Sequence, residues 1–555
     1  MKTLSILTLV SMVSVGCALE ARPESNIFEG SSCTIPVNPV DAFVAGKLSK
    51  LGVKPVICSD AVFLRRVYLD VIGTLPTAQE ARDFLQDQNK KKRLALIDRL
   101  LERDEFPYYW AMKWSDLLRV KAEFPINLWP NAAQAYHHWI MASIRDNKPY
   151  DQFVREMLTA SGSNFRVGPV NFYRAMQNKT PEGIAATVAL TFMGTRVESW
   201  TKKESLPGMA VFFSQVSYKP TREWKEEIVF RDPDKDLIPA ATNNAAQATN
   251  AVPLQTTNSL PKPSNAAVLP QVAIFPDGKE LGTLPPDQDP CEIFADWLIT
   301  PENPWFTANI VNRVWSWFMG RGIIHEPDDI RPDNPPVNPK LLQFLKKEFV
   351  ASHYNLKHLY RLILTSRTYQ YSSIVPKSSA QDQVEANFGF YPLRRLDAEV
   401  LSDAINRVTG TSDLYTSAIP EPFTFIPENK PAIALPDGSI TSPFLELFGR
   451  PARSTGMENE RINRVLPTQK MHLLNSSHIQ RKLENNPNLK TILKSSTRPK
   501  DTIEELYLTI LSRFPTPEEV KNAGAYAKSG VVKGNDAWVD LEWALINSDE
   551  FLFRH

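Results

Sequence analysis

NPWFTANIVNRVWSWFMGRGIIHEPDDIRPDNPPVNPKLLQFLKKEF, residues 303–349, holds the chain's densest mix of aromatics, polar residues in apolar surroundings and turn signals. Asn303-Pro304 is a turn that opens a helix at Trp305, and Phe306, Ile310, Val314 and Phe318 then recur every four residues as an apolar stripe. Asn309, Asn312, Arg313 and Ser316 fall at i, i+3, i+4 and i+7. The same helix therefore carries a face of amides, a guanidinium and a hydroxyl between its tryptophans. Gly320-Arg321-Gly322 stops it, and His325, Glu326, Asp328, Asp329, Arg331 and Asp333 follow in a proline-rich loop before Asn338-Pro339 caps the next helix. This helix, stop and helix indicate a mainly α fold, and the loop between them is the leading site candidate.

The same grammar extends outward. Val40, Phe43, Val44 and Leu48 share a helix face, and Phe63, Leu64, Val67, Tyr68 and Val71 share the next. Thr77 with Glu80 is a capping-box signature that predicts a helix running to Gln88. A helix over 90–103 buries Leu94, Ile97, Leu100 and Leu101, and a Trp-rich one covers 108–120. Near the end, Tyr507 to Pro515 repeats the step from Tyr68 to Pro76, and Thr516 with Glu519 repeats the capping box. Residues 548–551 echo 103–106, which points to two similar helical units.

Between 232 and 288 the composition shifts to Ala, Asn, Thr, Gln and Pro. The chain therefore divides into a first helical domain (39–231), an Asn/Ala/Pro-rich linker or insertion (232–288) and a second helical domain (289–555). Long irregular connections join the helices. Ile228-Val229-Phe230 and Val272 to Phe275 read as a few short strands near 225–285.

Sixty-three basic residues against 62 acidic ones leave a formal charge of +1, so no whole-chain field favours nucleic acid, and none is expected as a partner. Lys2 followed by an apolar run over 4–15 has the shape of a secretory signal ending near residue 18, with 19–38 as a tether. Gly16-Cys17-Ala18 reads either as an ordinary cleavage site or as a lipoprotein junction that acylates Cys17. No later run reaches the ~18 apolar residues of a transmembrane helix. Export to the periplasm, or attachment in the cell envelope, is the expected location. Cys33 and Cys58 are candidates for a disulfide in an oxidising compartment, the other reading being unpaired buried thiols.

Residues 63–66 (FLRR) through Leu75-Pro76-Thr77, with 110–118 after them, resemble the first domain of the planctomycete cytochrome c associated family, domain of unknown function 1549. Residues 303–313, Arg321-Gly322, 366–370 (SRTYQ), 394–399 (RRLDAE), 448–451 (FGRP) and 473–476 (LLNS) resemble its second, domain of unknown function 1553. The family has no settled activity, and the resemblance implies none. It does imply, in many relatives, a Cys-x-x-Cys-His haem-type motif after a segment like 192–196 and a Cys-Glu-Cys-Glu-Arg run after the Gly-Arg-Pro motif. Here the chain reads Val197-Glu198-Ser199-Trp200-Thr201 and Met457-Glu458-Asn459-Glu460-Arg461 at those places. No cofactor is therefore expected, and the departure points to a paralogue that kept the scaffold without a shared metal or redox function.

His325 with Asp328, Asp329 and Asp333 offers ligands for a divalent cation, but the spacing matches no standard loop, and an acidic helix-capping loop is the simpler reading. His353 with His358, and His472 with His478, are spaced so that neither pair shares a helix face, which excludes a zincin-type arrangement. Arg313 with Arg331, Arg394 with Arg395, and Arg450 with Arg453 offer forks for a sugar acid or other anion; carboxylates beside nearly every one favour structural ties instead. The expected function is an exported envelope binding or scaffold protein that acts with other envelope proteins or polysaccharide. Its expected binding residues are Asn309, Asn312, Arg313, His325, Asp328, Asp329, Arg331, Arg395 and Arg450. The alternative is a hydrolase of extracellular polysaccharide that recruits carboxylates from the 325–333 loop.

Overall fold

The computed structural model describes residues 26–32, 38–200, 205–235, 272–532 and 534–555. The protein is mainly α, with strands confined to ladders of two or three among the described residues. The leader, Cys17 and Cys33 lie outside those residues, and with them the lipidation and the disulfide; Cys58 is buried. Part of the expected tether has a defined place: Glu29–Ser32 pairs antiparallel with Val56–Cys58, which gives the extended backbone hydrogen-bonding partners. No helix among the described residues is long and apolar enough to cross a membrane.

The 303–349 stretch folds as its periodicity predicts. Asn303 Oδ1 accepts the N–H groups of Trp305 and Phe306 at 3.0 and 3.1 Å, and the helix Phe306–Met319 follows until Gly320 ends it in the left-handed region (φ 71°). Asn338 Oδ1 then accepts from Leu341 N at 3.2 Å and starts the helix Pro339–Ala351. The first of these helices is buried on nearly all sides. Trp317 lies 5.4 Å from Trp110 and 5.9 Å from Trp114, ring centre to ring centre, so the helix Glu105–Leu117 covers one flank. Its polar face is enclosed as well, and must find its partners inside the protein.

Both capping boxes form. Thr77 Oγ1 accepts from Glu80 N at 3.1 Å while Glu80 takes the Thr77 N–H at 2.8 Å; Thr516 and Glu519 do the same at 3.2 and 2.7 Å. The correspondence extends to ion pairs, since Arg103 holds Glu80 and Glu105 as Arg513 holds Glu519 and Glu550. The two units lie against each other, with Arg82 of the helix Ala78–Gln86 paired to Glu504 and Glu505 of the helix Pro499–Leu511.

A single buried apolar cluster runs from Val40 to Leu552, so the stretches on either side of 232–288 share one core. Two arginines of the helix Asp60–Val71 tie them by backbone contacts. Arg65 donates to the carbonyls of Ile510 and Phe551 at 2.7 and 2.9 Å. Arg66 donates to those of His555, Tyr369 and Tyr371 at 2.8, 2.6 and 2.9 Å. At the border of the insertion, Val216–Pro220 and Glu227–Arg231 form a hairpin extended by Gly162–Ser163. Ala273–Ile274 pairs with Glu280–Gly282. These are the short strands expected there, and 236–271 lies outside the described residues.

Candidate functional site

The polar face of the helix Phe306–Met319 is spent within the fold. Asn312 pairs its amide with the backbone of Ile324, donating to the carbonyl at 2.9 Å and accepting the N–H at 2.8 Å. Asn309 donates to Thr191 O at 2.9 Å, and Arg313, 2% exposed, reaches Asp328 at 2.8 Å and Glu458 at 3.5 Å. Asp328 closes the circuit by accepting Glu458 N at 2.7 Å. Glycine is required at two places around this knot. A Cβ on Gly194, whose φ is 62°, would meet Asn309 Oδ1 at 2.5 Å, and one on Gly322 would meet Ile324 O at 2.2 Å.

Three residues beyond Glu458, Arg461 is the hub of a second buried network. It holds Glu399 and Asp116 at 2.6 Å each, while Arg453 joins Asp116 at 2.9 Å and Arg450 joins Glu399 at 3.3 Å. Asp397, fully buried, takes Lys113 and Arg554 at 2.9 Å each and Asn463 at 3.1 Å. Burial alone would raise these carboxyls; Lys113, Arg554 and Arg461 hold Asp397 well below the usual range, and Arg461 with Arg450 holds Glu399 at about 2. Arg395 donates to the carbonyls of Phe448 and Ile462 at 2.6 and 2.9 Å, and Arg450 donates to those of Ile440 and Asp437.

The nine expected binding residues thus separate into three places. Asn309, Asn312, Arg313 and Asp328 form the first knot, and Arg395 and Arg450 belong to the second network. His325, Asp329 and Arg331 stay on the loop, where Arg331 pairs with Asp329 at 3.3 Å and with Asp333 at 3.4 Å, and Asn334 donates to the carbonyls of His325 and Asp329. No group of three or more His, Cys, Asp or Glu side chains among the described residues is arranged to hold a metal ion.

Four carboxyls among the described residues depart the other way: burial raises Asp437 and Glu458, and it raises Asp403 and Glu542 further. Burial raises Asp403 to about 7 against the N–H groups of Ala432 and Ile433, and raises Glu542 to about 8 against the Asn486 amide. A carboxyl whose folded pKa lies above its unfolded one contributes stability in full below the unfolded value, and that contribution is lost as pH rises through the folded value. Chemical unfolding is therefore expected to show stability declining from acidic pH up through 7 to 8. In Glu542→Gln the part of that decline that runs from the ordinary glutamate value of 4.5 up to about 8 should vanish, most visibly between pH 7 and 8, and an unchanged profile would refute the assignment.

An open cleft of about 530 Å³ lies elsewhere, lined by residues from 125–127, 174–179 and 220–227. Trp224 stands at the tip of the Val216–Pro220/Glu227–Arg231 hairpin, 68% exposed, with the Lys225 ammonium 5.2 Å from its ring centre. The tip is locked from beneath: Glu226 accepts from Thr221 and Ser163 at 2.5 Å each and pairs with Arg166. Arg174 pairs with Glu227 at 2.7 Å across the floor. Lys179 sits beside them over the Tyr218 ring, and desolvation with the Arg174 charge lowers it to about 8. The three segments of this cleft are far apart in the chain, so no local spacing marks it. The available signal was a tryptophan among alternating charges, 222–227 (REWKEE).

The fold and these networks define a mainly α protein whose two sequence halves interlock around buried ion pairs. A family model described as "Protein of unknown function (DUF1549)" matches residues 39–201, and one described as "Protein of unknown function (DUF1553)" matches residues 292–527. The chain belongs to the family in which these two domains are paired. No curated protein and no solved structure matches it.

The haem attachment that the resemblance implies for many relatives does not fit the residues here, since Val197 to Trp200 offer neither thiol nor imidazole. The two segments that depart from the pattern the resemblance implies border the same loop. Ile330 N donates to Gly194 O at 2.8 Å on one side, and Glu458 N donates to Asp328 on the other. In this chain Glu458 and Arg461 supply ion pairs at the second of them.

Proposed function

We propose that the protein is an exported envelope binding component whose interlocked helical body is a rigid frame, and that its ligand is an acidic polysaccharide held in the cleft around Trp224. The observation that carries this reading is the cleft itself. An exposed indole offers a flat apolar face for a sugar ring, and Lys179, Arg222 and Lys225 offer cations for carboxylate or sulfate groups. Export and envelope attachment rest on the apolar run over 4–15 and on Cys17.

Binding is favoured over hydrolysis because the cleft carboxylates are committed: Glu226 to Arg166, Ser163 and Thr221, Glu223 to Arg166, and Glu227 to Arg174. The carboxyls raised to about 7 and 8, Asp403 and Glu542, do not line the cleft. A general acid needs such a raised pKa at the scissile bond.

Calorimetric titration with polygalacturonate and with a neutral glucan tests the reading. Expected is binding of the acidic polymer alone, weakened about tenfold in Trp224→Ala. Lysine is charged below its pKa, so affinity should fall as pH rises through about 8, and Lys179→Ala should abolish that dependence. Equal binding of the neutral glucan, or unaltered affinity in Trp224→Ala, would overturn the proposal. Release of reducing ends would favour the hydrolase instead.

A further inference from the structure

His472 and His478 are six residues apart, a spacing that on one continuous helix would point the rings away from each other. The helix does not continue. Ser476 ends the helix Pro467–Asn475 and its side chain caps the next, Ser477–Glu484, by accepting Ile479 N at 3.3 Å. The change of direction brings His472 Nε2 to 3.4 Å from His478 Nδ1. Both rings remain partly open to solvent, beside Phe444 at 5.7 Å between ring centres.

The second ring is oriented from behind. His478 Nε2 lies 2.8 Å from Asp413 Oδ1, and Asp413 is itself held by Lys482 at 2.8 Å and by the Ser402 hydroxyl at 2.6 Å. A carboxylate in those surroundings is an acceptor only, so the neutral His478 ring carries its proton on Nε2 and presents the Nδ1 lone pair to His472. A carboxylate behind a histidine is the usual outer partner of a metal-binding imidazole, fixing both tautomer and ring plane. The 3.4 Å between the nitrogens is long for an N–H···N hydrogen bond. It matches the edge of a tetrahedron built on Zn–N bonds of about 2.0–2.1 Å.

We propose that His472 Nε2 and His478 Nδ1 form a two-imidazole clip for a borderline divalent cation of the Zn²⁺ class, with Asp413 as the orienting residue. The remaining coordination positions are open to water or to a donor group on a ligand. The clip is independent of the Trp224 cleft, and neither depends on the other.

Titration of the chelator-treated full chain with ZnCl₂ tests it, with Co²⁺ visible absorption as a second readout. Expected is one equivalent bound, with loss of binding in His472→Ala and His478→Ala and about 10–100-fold weaker binding in Asp413→Asn. Should the alanine variants not fold, Cu²⁺ electron paramagnetic resonance of the wild type decides, two imidazole nitrogens in the hyperfine pattern supporting the clip. A flat titration, a pattern without imidazole nitrogens, or unchanged stoichiometry and affinity in a folded His472→Ala/His478→Ala chain would each overturn the proposal.

Discussion

Asp397→Ala is expected to destabilise the protein by about 3–5 kcal/mol, the scale for leaving a buried ion without its partner. Lys113 and Arg554 both end on Asp397 Oδ2, and all three side chains are nearly or fully buried, so alanine leaves two cations enclosed with no counter-charge at that point. Asp70, 3.5 Å from Arg554, recovers a fraction of the loss. Against a total stability of about 5–15 kcal/mol this is a large part, and the denaturant midpoint should shift accordingly. Adding Lys113→Met should restore part of it, because the second substitution removes one of the stranded charges. A midpoint unmoved in Asp397→Ala would show that solvent reaches the network.

The second large effect is expected at Arg66. Its guanidinium is the donor for three buried carbonyls, on Tyr369, Tyr371 and His555, and lies 3.8 Å from the Tyr391 ring centre. Each buried acceptor left without a donor costs about 1–3 kcal/mol, so Arg66→Ala should lose about 3 kcal/mol or more. The loss should be local first. Hydrogen exchange ought to rise around 369–371 and at 553–555 before the rest of the chain, because Arg66 ties the backbone of both segments to the helix Asp60–Val71, with the Asp70 contacts to Tyr369 and Arg554 left as the remaining links. Arg66→Lys should recover only part, since a compact ammonium does not reproduce a planar fork spread over separate strands of backbone. Uniform exchange across the chain would argue against the tie.

What could be read directly was whatever depends on neighbours in sequence. The four-residue apolar stripe of 306–318, the Asn303 and Asn338 caps, the stop at Gly320 and both Thr–Glu capping boxes are short-range hydrogen-bonding and burial patterns, and each appears in the fold. The polar face of that helix was legible as well. Its satisfaction was not, because Thr191, Asp328 and Glu458 reach it from three other segments. Of the candidate binding residues, Arg313 and Asp328 meet as partners of each other, and nothing in their spacing distinguished that from a shared ligand.

The amino-acid order by itself determined a mainly α chain, the caps and the stop of the helices within 303–349, the family pairing and the absence of the family's cysteines at 197–201 and 457–461; the helices expected over 90–103 and 108–120 instead run Lys92–Leu100 and Glu105–Leu117, because their ends are set by packing rather than by a local cap. Tertiary structure alone decided that both sequence halves share one core, that a cleft forms where 125–127, 174–179 and 220–227 meet, and that two histidines on consecutive helices face each other across Ser476. The physical reason is range. Helix periodicity and capping act over three or four residues, whereas a buried charge finds its counter-charge, and an imidazole its neighbour, only after the whole chain has chosen how to fold back on itself.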